Sequence, residues 1–466
     1  MVEIDRLKKV MTAERGQAAP ARDWTRGSII GNLLSLSWPI VVHNALYMVG
    51  QTVDMIWIGK LGVTAVAGVG VAFIVHMLVL AAKMGLVTGA RAMVARFMGA
   101  GDTESANHAV GQAFLVSAVF GVVVSVLGIL LAEPILSLFG LKAEVVAMGT
   151  AYMRVMFSGW IFYSLWLMAF SVMQASGDAI TPMKIHIFTR SVQVLLSPFL
   201  VFGWWFFPRL GVSGAALGMI LGQGLGMAIS LWILVTGRSR LRLTFRGFRL
   251  DPSMIWRMVK IGLPACIMGM QGNFGQLVLM WVIAPFGTLA VAAHTLNQRV
   301  EMIAFMPSVG LGMGAGVLVG QNLGARQPQR AERTGWLAAG LVEAIMLACA
   351  AAVLLWAENI VRIFNSEPEL VALASLFLRI AAAGYLLNGF ITGLQNSISG
   401  AGDTLPPMII SLAMTWLMLL PLVFLLPQFT NLGVYGVRWA MVISLVAGAA
   451  AYIVYFRLGR WKRKRV

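Results

Sequence analysis

SWPIVVHNALYMVGQTVDMIWIG, residues 37–59, is the first strongly apolar stretch of the chain, and it carries one carboxylate, Asp54. The run is long enough to cross a bilayer as a helix. A charge at membrane depth costs about 2.5 kcal/mol or more, so Asp54 faces protein or water and is a candidate functional group. At about 100° per residue, His43, Tyr47, Gly50 and Asp54 fall within about 60° of one another, with Gln51 beside them. The other faces are Val, Ile, Leu, Met and Trp. One side of this helix meets lipid or packed protein, and the other something wet. The alternative is that Asp54 only ties helices together.

The stretch returns 225 residues later. Pro39, Gly50, Gln51, Val53, Met55, Ile58 and Gly62 are matched by Pro264, Gly275, Gln276, Val278, Met280, Ile283 and Gly287. Gly85, Gly89 and Gly99 match Gly310, Gly314 and Gly324, and Gly177-Asp178 matches Gly402-Asp403, all without a gap. Leu210-Gly211-Val212 then matches Leu432-Gly433-Val434 after a short slip. A duplication in one orientation implies two similar halves, a known way of building secondary transporters.

Composition sets the class. With 59% hydrophobic and 11% charged residues among 466, the chain reads as an all-α polytopic membrane protein. Apolar runs near 35–58, 69–97, 108–131, 145–172, 183–206 and 212–235, then 259–284, 290–319, 334–356, 369–397, 406–427 and 433–456, predict twelve transmembrane helices. They divide the chain into an arm (1–34), a six-helix bundle (35–236), a basic linker (237–258), a second bundle (259–456) and a basic tail (457–466). The 35 Lys and Arg outnumber 18 Asp and Glu, but they gather at segment ends rather than on a nucleic-acid-binding face. Arg6, Lys8, Lys9, Arg15, Arg22 and Arg26 in the arm, Arg238 to Arg249 in the linker, Arg326 to Arg333 and the tail RLGRWKRKRV all fall on one side. That bias predicts cytoplasmic termini, and the arm shows no cleavable leader. Cys266 and Cys349 sit in apolar runs, so neither a disulfide framework nor a metal site is expected.

Residues 39–62 with their Val53-Asp54 pair, ARFMGAGDTESA (95–106), QASGDAITPM (174–183), GLPA (262–265), VGQNLGA (319–325) and SGAGDTLPPM (399–408) together resemble the multidrug and toxic compound extrusion (MATE) family of prokaryotic efflux transporters. The resemblance runs from about residue 30 to 456. It implies two pseudo-two-fold-related six-helix bundles around a central cleft, and export of organic compounds against an inward flow of H⁺ or Na⁺. Asp54 matches the first-helix aspartate that many prokaryotic members use. Where several members have an Asn and, four residues on, an Asp before Pro, this chain has Gln193 and Ser197. The seventh-helix Glu of another branch falls on Gly272, and that branch's tenth-helix Asp on Asn388. Asp54 is then almost alone in its lobe, which argues for H⁺ over Na⁺.

His294, Asn297, Glu301 and Ser308 share one face of the eighth helix, which makes Glu301 the second candidate coupling carboxylate. Under the repeat it occupies the place of His76, so a His76–Glu301 contact across the cleft is one reading. The other is that Glu301 pairs within its own bundle, with a neighbour such as Gln298 or Arg299. Lys83 lies deep and reads as a counter-charge or an anion contact. Asn388, Thr392, Gln395 and Ser399 form a neutral stripe that either lines a cleft or bonds neighbouring helices. The expected substrate lining is Tyr47, Met48, Gln51, Asp54, His76, Gln193, Gln276, Asn297 and Asn388. Met268 and Met270 read as adaptable cleft residues or as packing. Asp102 and Asp403 read as caps on the helices that follow them.

The reading is a monomeric inner-membrane antiporter for cationic or amphipathic compounds, with lipids and small organic substrates as its partners and no cofactor beyond the H⁺ gradient. A lipid-linked oligosaccharide flippase of the same wider superfamily is the alternative. A membrane transferase is disfavoured, because no DDxxD, HxxxxD or GxxxxGK[ST] run occurs. A channel fits a duplicated half less well than alternating access does.

Overall fold

Repeated apolar runs must close their own backbone hydrogen bonds in lipid, and they do so as helices. A computed structural model describes residues 22–244 and 248–464, so Arg6, Lys8, Lys9, Arg15, Arg246 and Arg465 lie outside the described residues. The first lobe contains α1 (Ile29–Gly59), α2 (Val63–Gly99), α3 (Thr103–Leu130), the short α4 (Ala132–Ser137), α5 (Ala143–Ser158), α6 (Trp160–Ala175), α7 (Ile180–Phe202) and α8 (Val212–Thr236). The second contains α9 (Pro252–Ile283), α10 (Thr288–Gly324), α11 (Pro328–Arg362), α12 (Pro368–Gly400), α13 (Leu405–Leu412), a π-helical segment (Ala413–Leu419), α14 (Leu420–Phe429) and α15 (Val434–Leu458). Among the described residues, eleven spans are long and apolar enough to cross a membrane. The α5–α6 pair, bent by 51° at Gly159, makes twelve.

Two helices start earlier than the apolar runs predict. α1 begins at Ile29, inside the stretch read as the arm, because the Ser28 side chain accepts from the Gly31 N–H. α9 begins at Pro252, inside the stretch read as linker, because Asp251 caps Ser253 and Met254 with Pro at the first position. The Met254 backbone N–H holds the Asp251 carboxyl below the usual carboxylate range, with Ser253 adding to the pull. Asp102 likewise accepts from the Ser105 N–H as predicted. Asp403 does not cap α13. It takes the Tyr455 hydroxyl (2.5 Å) and the Lys464 ammonium (3.3 Å), since the tail folds back over it.

The arm, linker and tail meet on one face. Arg240 donates to the Arg22 carbonyl (2.7 Å), Arg330 to the Gly27 carbonyl (2.8 Å) and Arg96 to the Lys464 carbonyl (2.8 Å). Trp461 is fully buried there, stacked on Phe456. This is the basic face.

The lobes touch through the glycines that the repeat duplicates, and they touch reciprocally. A Cβ on Gly85 would strike Cys266, and one on Gly310 would strike Val41, the residue 225 positions before Cys266. Gly89 abuts Gly262, and Gly314 abuts its counterpart Ser37. Gly99 lies on the Gln321 carbonyl, and Gly324 on the Arg96 carbonyl. The equivalent donors Arg96 and Gln321 also bond there, to acceptors one residue out of register: Arg96 donates to the Ala401 carbonyl (3.1 Å) and Gln321 to the Ala175 carbonyl (2.7 Å), next to Ser176, the counterpart of Ala401. Among the described residues, glycine contacts between the lobes run from the basic face to mid-helix (Gly269 on Ala81) and no farther. These contacts close the lobes against each other at the basic face.

Candidate functional site

Two helices of the first lobe run side by side in one direction, and their polar residues have the same spacing. His43, Tyr47, Gly50 and Asp54 on α1 are 4, 3 and 4 residues apart, and so are His186, Arg190, Gln193 and Ser197 on α7. The stripes meet rung by rung. His43 and His186 touch through their Nδ1 atoms. The Arg190 guanidinium lies over the Tyr47 ring, 5.4 Å from its centroid. Gly50 leaves the room through which Arg190 passes, because a Cβ there would come within 2.5 Å of Arg190 Cδ. At the last rung, Ser197 Oγ donates to Asp54 Oδ1 (3.0 Å) and Gln193 Nε2 donates to Oδ2 (2.6 Å).

The rungs are also joined lengthwise. Arg190 Nη1 donates to Gln193 Oε1 (2.6 Å), and Arg190 Nε donates to His186 Nε2 (3.3 Å). His186 Nε2 is therefore an acceptor, so neutral His186 carries its proton on Nδ1 and gives it to His43 Nδ1. A continuous chain, His43–His186–Arg190–Gln193–Asp54, runs through the lobe. Arg190 is 7% exposed, and the glutamine amide joins its positive charge to the carboxylate. Among the described residues, no second carboxylate joins Asp54. Gln193 and Ser197 bind it directly, and Arg190 balances it.

Tyr47, Met48 and Gln51 are half-buried along the same stretch of α1. His76 is not with them. It is 4% exposed, stands edge-on to Trp160 (5.0 Å) and packs against Phe73, and among the described residues it forms no hydrogen bond or ion pair with Glu301. Lys83 donates to Ser117 Oγ on α3 (2.7 Å), and among the described residues it forms no ion pair. Of the two readings for Lys83, the counter-charge to a carboxylate gives way to this hydroxyl contact.

In the second lobe, Glu301 pairs within its own bundle, as one of the two readings held, but its partner is Arg438 of α15 (Nη1 to Oε1, 3.2 Å) rather than Gln298 or Arg299. Asn297 supports the pair. In the amide orientation that satisfies its neighbours, its oxygen accepts from Arg438 Nη2 (3.2 Å) and its nitrogen donates to the Ala374 carbonyl (3.2 Å). Gln276 accepts from Gln298 (2.6 Å) and lines a cavity of about 280 Å³ with Glu301, Phe305, Tyr385, Thr415 and Arg438. Asn388 does not line it. It accepts from Thr392 (3.1 Å) and reaches the Met346 sulfur (3.7 Å), so this part of the α12 stripe bonds within the lobe. Met268 and Met270 likewise take contacts from Gln395 and Cys266.

Arg190, His186 and Arg438 were missed by the sequence reading. The first two could have been found, because their spacing on α7 copies the α1 stripe. Arg438 has no polar partner at helical spacing in α15, and nothing in the local pattern marks it.

The MatE family profile matches residues 39–199 and 264–425, one match per lobe. A protein named probable multidrug resistance protein NorM from Thermotoga maritima is 25% identical over 93% of this chain and 93% of its own length. The FAD transporter of Shewanella oneidensis is 24% identical over 91% of this chain and 94% of its own. Among solved structures, one described as the outward-facing conformation of a multidrug resistance MATE family transporter of the MOP superfamily superposes with a TM-score of 0.89. It is 22% identical and covers 96% of this chain and 100% of that one.

Proposed function

The chain belongs to the MatE family of multi-pass membrane transporters, and from that premise we propose that it exports amphipathic, drug-like compounds with cationic or polar heads in exchange for H⁺. The observation that carries this reading is the setting of Asp54. Its two oxygens are held by Gln193 and Ser197, and Arg190 stands one amide away. No second carboxylate joins that set, which suits a proton better than Na⁺, a cation that seeks several hard oxygens. The basic face is cytoplasmic by its Lys and Arg, both termini lie on that side of the inner membrane, and the contacts that close this face support an outward-open form.

With Asp54 ionised, the Asp54–Arg190 pair is neutral overall and the carboxylate can hold the head of a compound in the cleft beside Tyr47, Met48 and Gln51. A proton arriving from outside leaves Arg190 uncompensated, and the pair becomes positive. The compound loses its anchor and leaves outward, and the protonated protein returns to discharge inward. A ligand equal in both states would shift nothing, so the exchange depends on this difference.

Reconstitution into proteoliposomes tests it. A proton gradient should drive uptake of an amphipathic cation and a sodium gradient at fixed pH should not. Asp54→Asn should abolish the driven transport in a protein that still inserts and folds. Binding in detergent should weaken as pH falls, because the protonated carboxyl no longer attracts the head group. Sodium-driven transport, or an Asp54→Asn variant with wild-type pH dependence, sinks the reading.

A further inference from the structure

Rows of equivalent residues show what the duplication did with the Asp54 site. Asp54 corresponds to Leu279, Gly50 to Gly275, and Arg190 to Thr415, each 225 positions on. The equivalence holds in space. A Cβ on Gly50 would meet Arg190, and a Cβ on Gly275 would meet Thr415 Cγ2 at 3.1 Å. In the first lobe the guanidinium of Arg190 passes Gly50 and fills the interior. In the second, Thr415 stops short, and the cavity of about 280 Å³ opens beside it, with Leu279 and Thr415 both in its wall.

The cavity is built for a polar head. Tyr385 is 1% exposed, and its hydroxyl has no hydrogen-bond partner among the described residues. Glu301 gives Oε1 to Arg438, and among the described residues Oε2 accepts no hydrogen bond. Arg438 stands behind the carboxylate, 2% exposed and 5.0 Å from the Phe377 ring, with Asn297 taking its other terminal nitrogen. Phe305, edge-on to Tyr385 at 5.1 Å, Met414 and Leu445 supply apolar wall. The π-helical turn that carries Met414 and Thr415 is a local feature often found at functional sites.

We propose that this cavity is a second binding subsite, specific for compounds whose head is an amine, amidine or guanidine with N–H donors. The head occupies the space that Arg190 fills in the first lobe and donates to Glu301 Oε2. Its flat or apolar body lies against Phe305, Tyr385 and Met414. Glu301 is then shared between Arg438 and the ligand, two donors on two oxygens. The inference rests on the transporter reading above, but it concerns binding alone.

The test uses the full-length protein in detergent, without a gradient, and the fluorescent amidine p-aminobenzamidine, with neutral p-aminobenzamide as control. The amidine should bind about tenfold or more tightly than the amide, as a charge-assisted hydrogen bond to carboxylate requires. Glu301→Gln should lose that preference. Thr415→Arg, which writes the first lobe's residue into the second, should fill the cavity and exclude the probe, while Gly272→Ala, where a Cβ meets nothing within 4 Å, binds as wild type. Glu301→Gln leaves Arg438 unpaired and could unfold the protein, whereas Thr415→Arg supplies a cation of its own and keeps the test decisive. Wild-type amidine binding in a folded Thr415→Arg overturns the proposal, as does equal binding of amidine and amide. A failure of proton-driven transport would not touch these results, and their failure would leave the Asp54 reading standing.

Discussion

At the residue scale, Gly50 matters as much as the charges, because its missing side chain is the space Arg190 needs. A methyl there would lie within 2.5 to 2.9 Å of three Arg190 atoms, whereas one on Gly272 meets nothing within 4 Å. Gly50→Ala should therefore destabilise the protein by about 1–3 kcal/mol, the usual cost of overpacking. It should also impair proton-driven transport by displacing Arg190. Gly272→Ala should do neither. Melting curves and transport measured side by side decide it, and equal behaviour of the two variants removes Arg190 from the account. The sequence exposed Asp54 and its stripe because a lone carboxylate in an apolar run is conspicuous. It hid Arg438 because a buried arginine paired to a distant helix leaves no local pattern, and it misplaced His76 because periodicity does not say which neighbour a face meets.

At the scale of elements, twelve spans and the two-lobe repeat were legible, since helix length and apolar content follow directly from the bilayer. The helix starts at Ile29 and Pro252 were less so, because capping carries helices beyond their apolar runs. The duplicated glycines were legible as matches, and the structure gives their purpose: close approach of α2 to α9 and of α10 to α1 at the basic face. Two-fold-related positions still differ in severity. Gly89 faces the Met258 backbone carbonyl, while Gly314 first meets the Ser37 hydroxyl, which can rotate away. Gly89→Ala should shift the protein towards opening of the basic face more strongly than Gly314→Ala. Cys266 lies beneath Gly85 in the same interface. Its reaction with a water-soluble maleimide should accelerate in Gly89→Ala and less in Gly314→Ala, and an unchanged rate in both would mean that this interface does not open.

At the scale of the whole molecule, alternating access requires the basic-face closure to be strong enough to form and weak enough to break. Two hydrogen bonds with equivalent donors, Arg96 to the Ala401 carbonyl and Gln321 to the Ala175 carbonyl, close this face and share no partner. Arg96 also holds the Lys464 carbonyl, tying the tail into the closure. Neutral hydrogen bonds contribute about 0.5–1.5 kcal/mol and charged ones about 1.5–3, so Gln321→Ala should shift the closed–open equilibrium about 2- to 13-fold and Arg96→Ala about 10- to 150-fold. Independent sites add in free energy, so the double variant should shift it by the product of the two factors. Spin labels at exposed Glu104 on α3 and Arg333 on α11 report the separation of the lobes at that face. The long-distance population should grow in the order Gln321→Ala, Arg96→Ala, double variant. A double variant no more open than Arg96→Ala alone would mean that the lobes do not part as two rigid halves about the axis that the repeat defines.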